Sequence, residues 1–441
     1  MLQNLGGDIA VHACTFLDAK DLSACACACS DWKNALRRNG RRINRLLWNT
    51  LTRGLEPLWA SGRTYKSLNR YYWCLVHSNG SAKYQTSVFD DKITGFHLHR
   101  SIEGEHVDVW CMIDFSGNAS VVQIETGIII AEQKLYLEDG TSGTPSYTCS
   151  VVIDFKLGHG EGKQLFVCGT KAGELAVFSM EQFKGRRHYL SNSHIRSMCP
   201  RNSCPAEIFV GDGSGCVRLA RVVNNGPGYG IEVLHSWDLF DLAQLHLEQK
   251  RLFMAVTCLR TRGSTTVCCT KKSGIFVFAE TIKGSSEWTL VNHIDQSWLG
   301  ERFLTCMEFL SDDEVIVGTR GASFTGNDSR IIKMLKDNCC FGVRLHCKNA
   351  DAAILWSLPI NRTVFSILPI SYRKVMVSVD YGGLQIWDTK ERKQINCFNP
   401  LEGSQMHFAN LTPHNHRDSV CATVEGEILE IEWSNKLYTK K

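Results

Sequence analysis

Seven short β-rich hairpins, each centred on a glycine, follow one another from about residue 85 to the end of the chain. Apolar and polar residues alternate within them, as in half-buried strands joined by tight turns. Their turn glycines are separated by 56, 42, 59, 52, 57 and 43 residues, which brackets the length of one four-stranded propeller blade. The hairpins span residues 107–125, 164–180, 207–222, 265–280, 314–335, 374–388 and 418–433, with turns at Gly117, Gly173, Gly215, Gly274, Gly326, Gly383 and Gly426. The sequence therefore predicts a mainly β fold, a seven-bladed β-propeller over residues 81–441.

Apolar runs precede several hairpins and predict the inner strands of the blades. Residues 149–157, 302–310 and 363–370 are almost continuously hydrophobic, which favours strands buried on both faces. Radial closure leaves a propeller only short sheet edges. The last hairpin ends eight residues before the end of the chain, so we expect the seventh blade to take its outer strand from residues 65–90.

The first fifty residues have helical periodicity instead. One apolar stripe predicts a first helix, and a second predicts another helix with small residues between its apolar positions. The two stripes are Ile9, Ala13, Phe16 and Leu17, then Leu22, Cys25, Cys29 and Trp32, and a third helical stretch covers residues 43–48. Three short helices cannot form a robust core alone, so this predicted domain over residues 1–50 needs a partner or the domain that follows.

Positive charge is concentrated near the N-terminus. Residues 1–70 contain eleven Lys or Arg against five Asp or Glu, and residues 33–70 contain ten Lys or Arg with Glu56 as the one acidic residue. We predict a basic helical linker over residues 51–80, which either contacts an acidic partner or is simply solvated. No aromatic interleaving accompanies the charge, so we do not expect nucleic acid to bind.

Cysteine usage and hydropathy indicate the compartment. The 20 cysteines are scattered, and the first residues lack the basic start of a signal peptide, so we expect reduced thiols. Apolar runs such as residues 128–131 and 151–153 are far short of the ~20 residues that span a bilayer. We therefore expect a soluble chain in the cytoplasm, the nucleus or both, without a membrane partner.

Residues 5–32, LGGDIAVHACTFLDAKDLSACACACSDW, resemble the F-box family. The ungapped matches are Leu5, Ile9, Phe16, Leu17, Asp18, Asp21, Leu22, Cys29 and Trp32, and the departures are Gly6 in place of Pro and Ala13, Ala24 and Ala28 in place of larger aliphatic residues. The resemblance implies docking on a Skp-family adaptor through Leu5, Ile9, Leu17, Leu22 and Trp32. The alternative is that these side chains only pack the helices on the propeller.

Residues 85–434 resemble WD-repeat propellers. The sixth repeat carries the terminal dipeptide of that family as Trp387 and Asp388, whereas the same position reads Val177–Phe178 or Val277–Phe278 elsewhere. The order of the two resemblances is similar to that of the F-box and WD-repeat subunits of SCF-type ubiquitin ligases. It implies a substrate-recognition subunit that reaches cullin and RING subunits through the adaptor and supplies proximity, not covalent chemistry. A propeller scaffold without ligase association is the alternative.

The same resemblance implies a place for the protein substrate. Relatives often hold substrates on the narrow top of the propeller, in some cases with arginines that bind phosphate in a bidentate manner. Arg196, Arg302 and Arg362 lie at or just before the inner strands of their blades, near where this surface is expected. They are our candidate substrate-binding residues.

Patterns for catalysis, metals and cofactors are weak. Residues 158–163 lack phosphate-loop spacing, and residues 414–416 lack the context of a nuclease motif. The sequence contains no Cys-x-x-Cys motif, and we interpret its tight Cys/His cluster, Cys339, Cys340, His346 and Cys347, as an ordinary loop between blades five and six. We therefore expect no enzymatic activity, metal or cofactor.

Overall fold

The computed structural model describes a seven-bladed β-propeller. The described residues are 80–87, 92–100, 108–123, 129–138, 145–156, 162–201, 203–226, 228–243, 254–282, 284–295, 302–320, 340–347, 350–360, 362–371, 374–380, 383–398, 408–413, 419–424 and 427–433. The helical domain predicted over residues 1–50, and all but the last residue of the linker predicted over residues 51–80, lie outside them.

Within these ranges, 29 strands form seven sheets whose innermost strands neighbour one another around a central channel. Blade one contains β2 (Ile93–Arg100), β3 (Asp108–Asp114), β4 (Asn118–Gln123) and β5 (Ile129–Lys134). Blade two contains β7 (Tyr147–Lys156), β8 (Gly162–Thr170), β9 (Glu174–Ser179) and β10 (Lys184–Tyr189), with β6 (Tyr136–Leu137) added in parallel to β10. Blade three contains β11 (Ile195–Arg201), β12 (Cys204–Asp212), β13 (Cys216–Asn224) and β14 (Tyr229–Asp238), followed by helix α1 (Leu239–Leu242).

The remaining blades follow the same order from the channel outwards. Blade four contains β15 (Val256–Arg262), β16 (Thr265–Thr270), β17 (Ile275–Glu280) and β18 (Trp288–Ile294). Blade five contains β19 (Phe303–Phe309), β20 (Glu314–Arg320), β21 (Cys340–Arg344), helix α2 (Ala350–Ala353) and β22 (Ile354–Leu358). Blade six contains β23 (Val364–Ser371), β24 (Lys374–Val379), β25 (Gly383–Asp388) and β26 (Lys393–Phe398). Blade seven contains β27 (Ala409–Pro413), β28 (Ser419–Val424) and β29 (Glu427–Trp433).

The outer strand of blade seven comes from the other end of the described chain. Strand β1 (Gly80–Ser87) pairs antiparallel with β29, from Gly80 opposite Trp433 to Ser87 opposite Glu427. This confirms the outer strand predicted within residues 65–90. The ring is therefore closed by hydrogen bonds between distant parts of the sequence, which protects an edge that would otherwise be open.

A repeated turn joins the two middle strands of several blades. The side chain at the end of the first strand accepts a hydrogen bond, of 2.7–3.0 Å, from a backbone N–H three or four residues later. The accepting side chains are Asp114, Thr170, Asp212 and Thr270. Gly117, Gly173, Gly215 and Gly274 then adopt positive φ angles of 84–113° before the second strand begins. At Gly173 an added Cβ would lie 1.9 Å from the carbonyl oxygen of Ser191, so a larger residue cannot fit. The sequence pattern of these hairpins is confirmed.

The hairpin predicted over residues 314–335 is wrong in its second strand. Strand β20 pairs with β21, in a register that sets Val315 opposite Val343 and Val317 opposite Phe341. These four apolar side chains are buried in one cluster, so pairing with β21 removes them from water. The turn glycine predicted at position 326 lies outside the described residues.

Close packing between blades depends on small residues. A Cβ added at Gly169, Gly211 or Gly318 would lie 2.4–2.7 Å from the first apolar side chain of the next inner strand. Each of these glycines therefore admits an isoleucine or valine of the neighbouring blade into the seam. No helix in the described part of the chain is long and apolar enough to cross a membrane.

Candidate functional site at the mouth of the central channel

A bulge in each inner strand projects one side chain per blade towards the channel. The pairing register shifts at one point near the start of all seven inner strands. The residues at these shifts that line the channel are Thr94, Thr148, Arg196, Thr257, Thr305, Phe365 and Asn410. Because a bulge leaves its extra residue unpaired, the prediction of inner strands buried on both faces is wrong at this position.

The threonines of this ring tie the bulged strands to their surroundings. The one hydroxyl hydrogen of Thr148 is shared between the carbonyl oxygens of Gly169 and Ile195, and Thr305 donates to the carbonyl oxygen of Val364 at 2.6 Å. Ile195 and Val364 each begin the inner strand of the next blade, so these hydroxyls connect neighbouring blades. A small cysteine follows three of the threonines, as Thr-Cys at positions 148–149, 257–258 and 305–306. This recurring dipeptide is a sequence signal for the ring, which the hairpin pattern alone does not reveal.

Below the ring, the channel continues as a polar cavity of about 550 Å³. His97 Nε2 lies 2.9 Å from Ser150 Oγ, linking blades one and two. Arg260 Nε donates to Glu308 Oε1 at 2.5 Å, linking blades four and five. The side chains of Arg260 and Glu308 are 40% and 29% exposed although they lie inside the ring, so solvent reaches them through the channel.

Three of the thiols along this channel, those of Cys149, Cys199 and Cys306, are held in their protonated form. Burial raises the pKa of Cys149, Cys199 and Cys306 to about 12, which keeps them protonated at neutral pH. They fill the seams between blades as small apolar side chains.

The end of the channel at which the inner strands begin opens into a cavity of about 570 Å³ with basic walls. His194, Arg196, Lys271 and Arg320 line it, from blades three, four and five, and no acidic side chain is among its described lining residues. Lys271 Nζ and Lys272 Nζ lie 5.0 and 5.9 Å from the ring centroid of Phe303. Both lysines therefore make cation–π contacts with this ring. We call these four basic residues, with Lys272, the basic mouth.

Two residues of the basic mouth are directly hydrogen-bonded. Arg196 Nε donates to His194 Nε2 at 2.5 Å. Burial lowers the pKa of His194, and the nearby charges of Arg196 and Lys171 lower it further, against an opposing effect of Asp212. Burial also lowers the pKa of Arg196. The mouth therefore holds a neutral histidine beside a guanidinium at neutral pH.

The three predicted substrate-binding arginines have different surroundings. Arg196 belongs to the basic mouth. The guanidinium of Arg302 lies 5.8 Å from the ring centroid of Phe341. Arg362 Nη1 donates to the carbonyl oxygen of Asp380 at 3.1 Å, and neither Arg302 nor Arg362 lines the mouth cavity. Arg196 therefore shares the cavity with His194, Lys271 and Arg320, and not with Arg302 or Arg362.

The Cys/His cluster is partly in a strand. Cys340 begins β21 and is fully buried, so its prediction as part of a loop is wrong. His346 Nε2 lies 3.3 Å from Asp313, Cys347 is partly buried, and residue 339 is outside the described residues. No group of three His, Cys, Asp or Glu side chains in the described ranges is arranged to hold a metal. The predicted adaptor-binding residues Leu5, Ile9, Leu17, Leu22 and Trp32 also lie outside these ranges.

Comparison with known proteins assigns no family to this chain. No family model matches the sequence, and no curated protein matches it. Among solved structures, the chain is similar to the computationally designed Ika8 protein at 14% identity and a TM-score of 0.49, over 81% of this chain and 100% of that chain. The seven-bladed ring itself fits a protein-interaction scaffold.

Proposed function

We propose that this chain is the substrate-recognition subunit of an SCF-type ubiquitin ligase. Its N-terminal segment docks on a Skp-family adaptor, and its propeller holds a target protein over the basic mouth. The observation that carries the substrate part is the gathering of three cationic side chains, Arg196, Lys271 and Arg320, at one end of the channel. Such a surface attracts an acidic or phosphorylated segment of a partner.

The chain supplies no covalent chemistry in this proposal. Its contribution is to raise the concentration of the target near the ubiquitin-charged enzyme, which the adaptor reaches through cullin and RING subunits. A cytoplasmic or nuclear location follows from that role, without membrane, metal or cofactor.

The topology of blade seven supports a separation of the two binding functions. Gly80, the first residue of β1, pairs with Trp433 at the end of β29. That end of the blade is opposite the turns that carry the basic mouth. Strand β1 therefore enters the ring from the face away from the mouth.

A scaffold without ligase association is the second candidate. It is favoured by the small residues Gly6, Ala13, Ala24 and Ala28 in the segment that resembles an F-box, since they reduce its apolar contact area. This candidate keeps partner binding at the mouth and loses adaptor docking.

Removing the chain from cells is expected to make its target proteins accumulate, and restoring it to lower them again. A variant with Arg196, Lys271 and Arg320 changed to Gln is expected not to restore turnover, because an acidic segment loses its cations. A matched variant with Lys184, Lys390 and Lys393 changed to Gln removes three charges from exposed positions away from the mouth and should restore turnover fully. Quantitative proteomics of the four cell lines measures this, and equal restoration by both variants would refute substrate binding at the mouth.

A further inference from the structure

His194 occupies a fixed position beside Arg196. Its carbonyl oxygen accepts from Gly213 N at 2.9 Å, and a Cβ added at Gly213 would lie 2.5 Å from His194 Cε1. The turn between β12 and β13 therefore packs against both the backbone and the ring. Because Nε2 accepts a hydrogen bond from Arg196 Nε, the ring must carry its proton on Nδ1 and be neutral.

The charges that face this ring come from three elements. Arg196 lies on β11, Lys171 on the turn between β8 and β9, and Asp212 at the end of β12. The carboxylate of Asp212 has other partners, since it accepts hydrogen bonds from Arg218 Nη1 at 2.8 Å and from Ser191 Oγ at 2.6 Å. The negative charge nearest to His194 is therefore compensated, and the cations of the mouth dominate its field.

Protonation of His194 would convert Nε2 from an acceptor into a donor that faces another donor, Arg196 Nε. That arrangement is repulsive unless an acceptor enters between the two groups. An anionic oxygen in the mouth satisfies both donors at once and adds charge-assisted hydrogen bonds to each.

Resting on the proposed function, we propose that His194 and Arg196 form a proton-coupled anion site. An anionic group of the partner displaces the Arg196–His194 hydrogen bond, and His194 takes up one proton from solvent. The ring keeps that proton on Nε2 and donates a hydrogen bond from it to the anionic group. Both side chains then bind the same anion.

The coupling has a definite sign. The pKa of His194 in the free protein is lowered from 6.5, and the bound anion raises it. Binding therefore takes up a proton between these two pKa values, and affinity falls as the pH rises through that window. If anion binding raises the pKa of His194 by about 1, the affinity at low pH exceeds that at high pH by at most about tenfold.

Histidine-selective NMR of the whole chain tests the coupling directly. Sulfate is the probe, because it has no protonation step of its own in this pH range, and sodium chloride of equal ionic strength is the control. We expect the pKa of His194 to lie below 6.5 in chloride and to rise by about one unit in sulfate. His194→Gln assigns the signal among the 15 histidines. The resonance of His346, which sits beside Asp313 away from the mouth, should show no sulfate-dependent change.

Calorimetric binding of hexaglutamate at pH 6.0 and 7.5 distinguishes the proton coupling at His194 from the binding of an acidic partner at the basic mouth. The wild-type chain should bind more tightly at pH 6.0, His194→Gln should bind equally at both, and Arg196→Gln should bind more weakly at both. Equal wild-type affinity at both pH values, with no sulfate effect on His194, would overturn the coupling and leave the acidic-partner surface standing. No binding by the wild-type chain at either pH would overturn both.

Discussion

Changing Arg201 to Met is expected to lower the free energy of unfolding by roughly 3 kcal/mol, because the buried carboxylate of Glu280 loses its arginine and that of Glu207 keeps only Arg221. The Arg201 side chain is 1% exposed, and those of Glu207 and Glu280 are 0% and 2% exposed. Arg201 pairs through Nη1 with Glu207 and through Nη2 with Glu280 at 2.6 Å, and Nη2 also donates to the carbonyl oxygen of Ser285. This network joins blades three and four.

Arg221 provides the matched control for this change. It also binds Glu207, through Nη2 at 2.6 Å, but its side chain is 37% exposed. In Arg221→Met, Glu207 keeps Arg201 as a partner, so the loss should be clearly smaller. Urea denaturation of the two variants makes the comparison, and equal losses would show that the buried network does not join the blades as described.

The same network predicts how the Arg201→Met effect depends on pH. Burial alone would raise the pKa values of Glu207 and Glu280, but hydrogen bonds outweigh it and lower them. At Glu207 these come first from Arg221 and Arg201, and at Glu280 from the backbone of Gly284 and then from Arg201. A lowered pKa in the folded state gives stability that is present above the unfolded pKa of ~4.3 and is lost as the pH falls through the folded value. The difference between the wild type and Arg201→Met should therefore shrink below about pH 4.

Removing strand β1 is expected to cost about 5 kcal/mol and to expose a sheet edge. Seven residue pairs join β1 to β29, and each net backbone hydrogen bond contributes about 1 kcal/mol. A chain that begins at residue 88 should therefore unfold at lower temperature and self-associate through β29. A chain that begins at residue 80 keeps β1 and is the control.

Thermal unfolding and size-exclusion chromatography compare the two truncated chains. We expect a sharp transition and a monomer-sized peak when β1 is kept, and a lower, broader transition with aggregates when it is removed. Matching transitions in the two chains would contradict closure of the ring by β1.

Local signals made most of the fold predictable. At Gly117, Gly173 and Gly215, a positive φ and a capping side chain three residues earlier are properties of the turn itself, so the sequence reveals them. The pairing of β20 with β21 depends on burial across 19 intervening residues, which a local turn signal cannot report. The closing strand was predictable because the last hairpin and its inner strand supply only three strands of blade seven. The fourth strand of that blade must come from another part of the chain.

The basic mouth was less predictable, because it is assembled from separate segments. Arg196 was identified from its place in an inner strand, whereas Lys271 lies in a turn and Arg320 ends a different strand of the next blade. At the start of β19, Phe303 lines the cavity and Arg302 lies over Phe341 instead. A shift of one residue along a strand therefore moves a side chain out of the site.

Recovery of a purified Skp-family adaptor by the purified chain shows whether residues 1–50 dock on that adaptor. We expect near-stoichiometric recovery by the wild type and its loss when Leu5, Ile9 and Leu17 are all changed to Asp, because charge replaces the apolar contact. The Arg196, Lys271 and Arg320 to Gln variant, altered only at the mouth, should recover as much adaptor as the wild type. A wild-type chain that recovers no adaptor would contradict the ligase assignment and leave the scaffold as the better account.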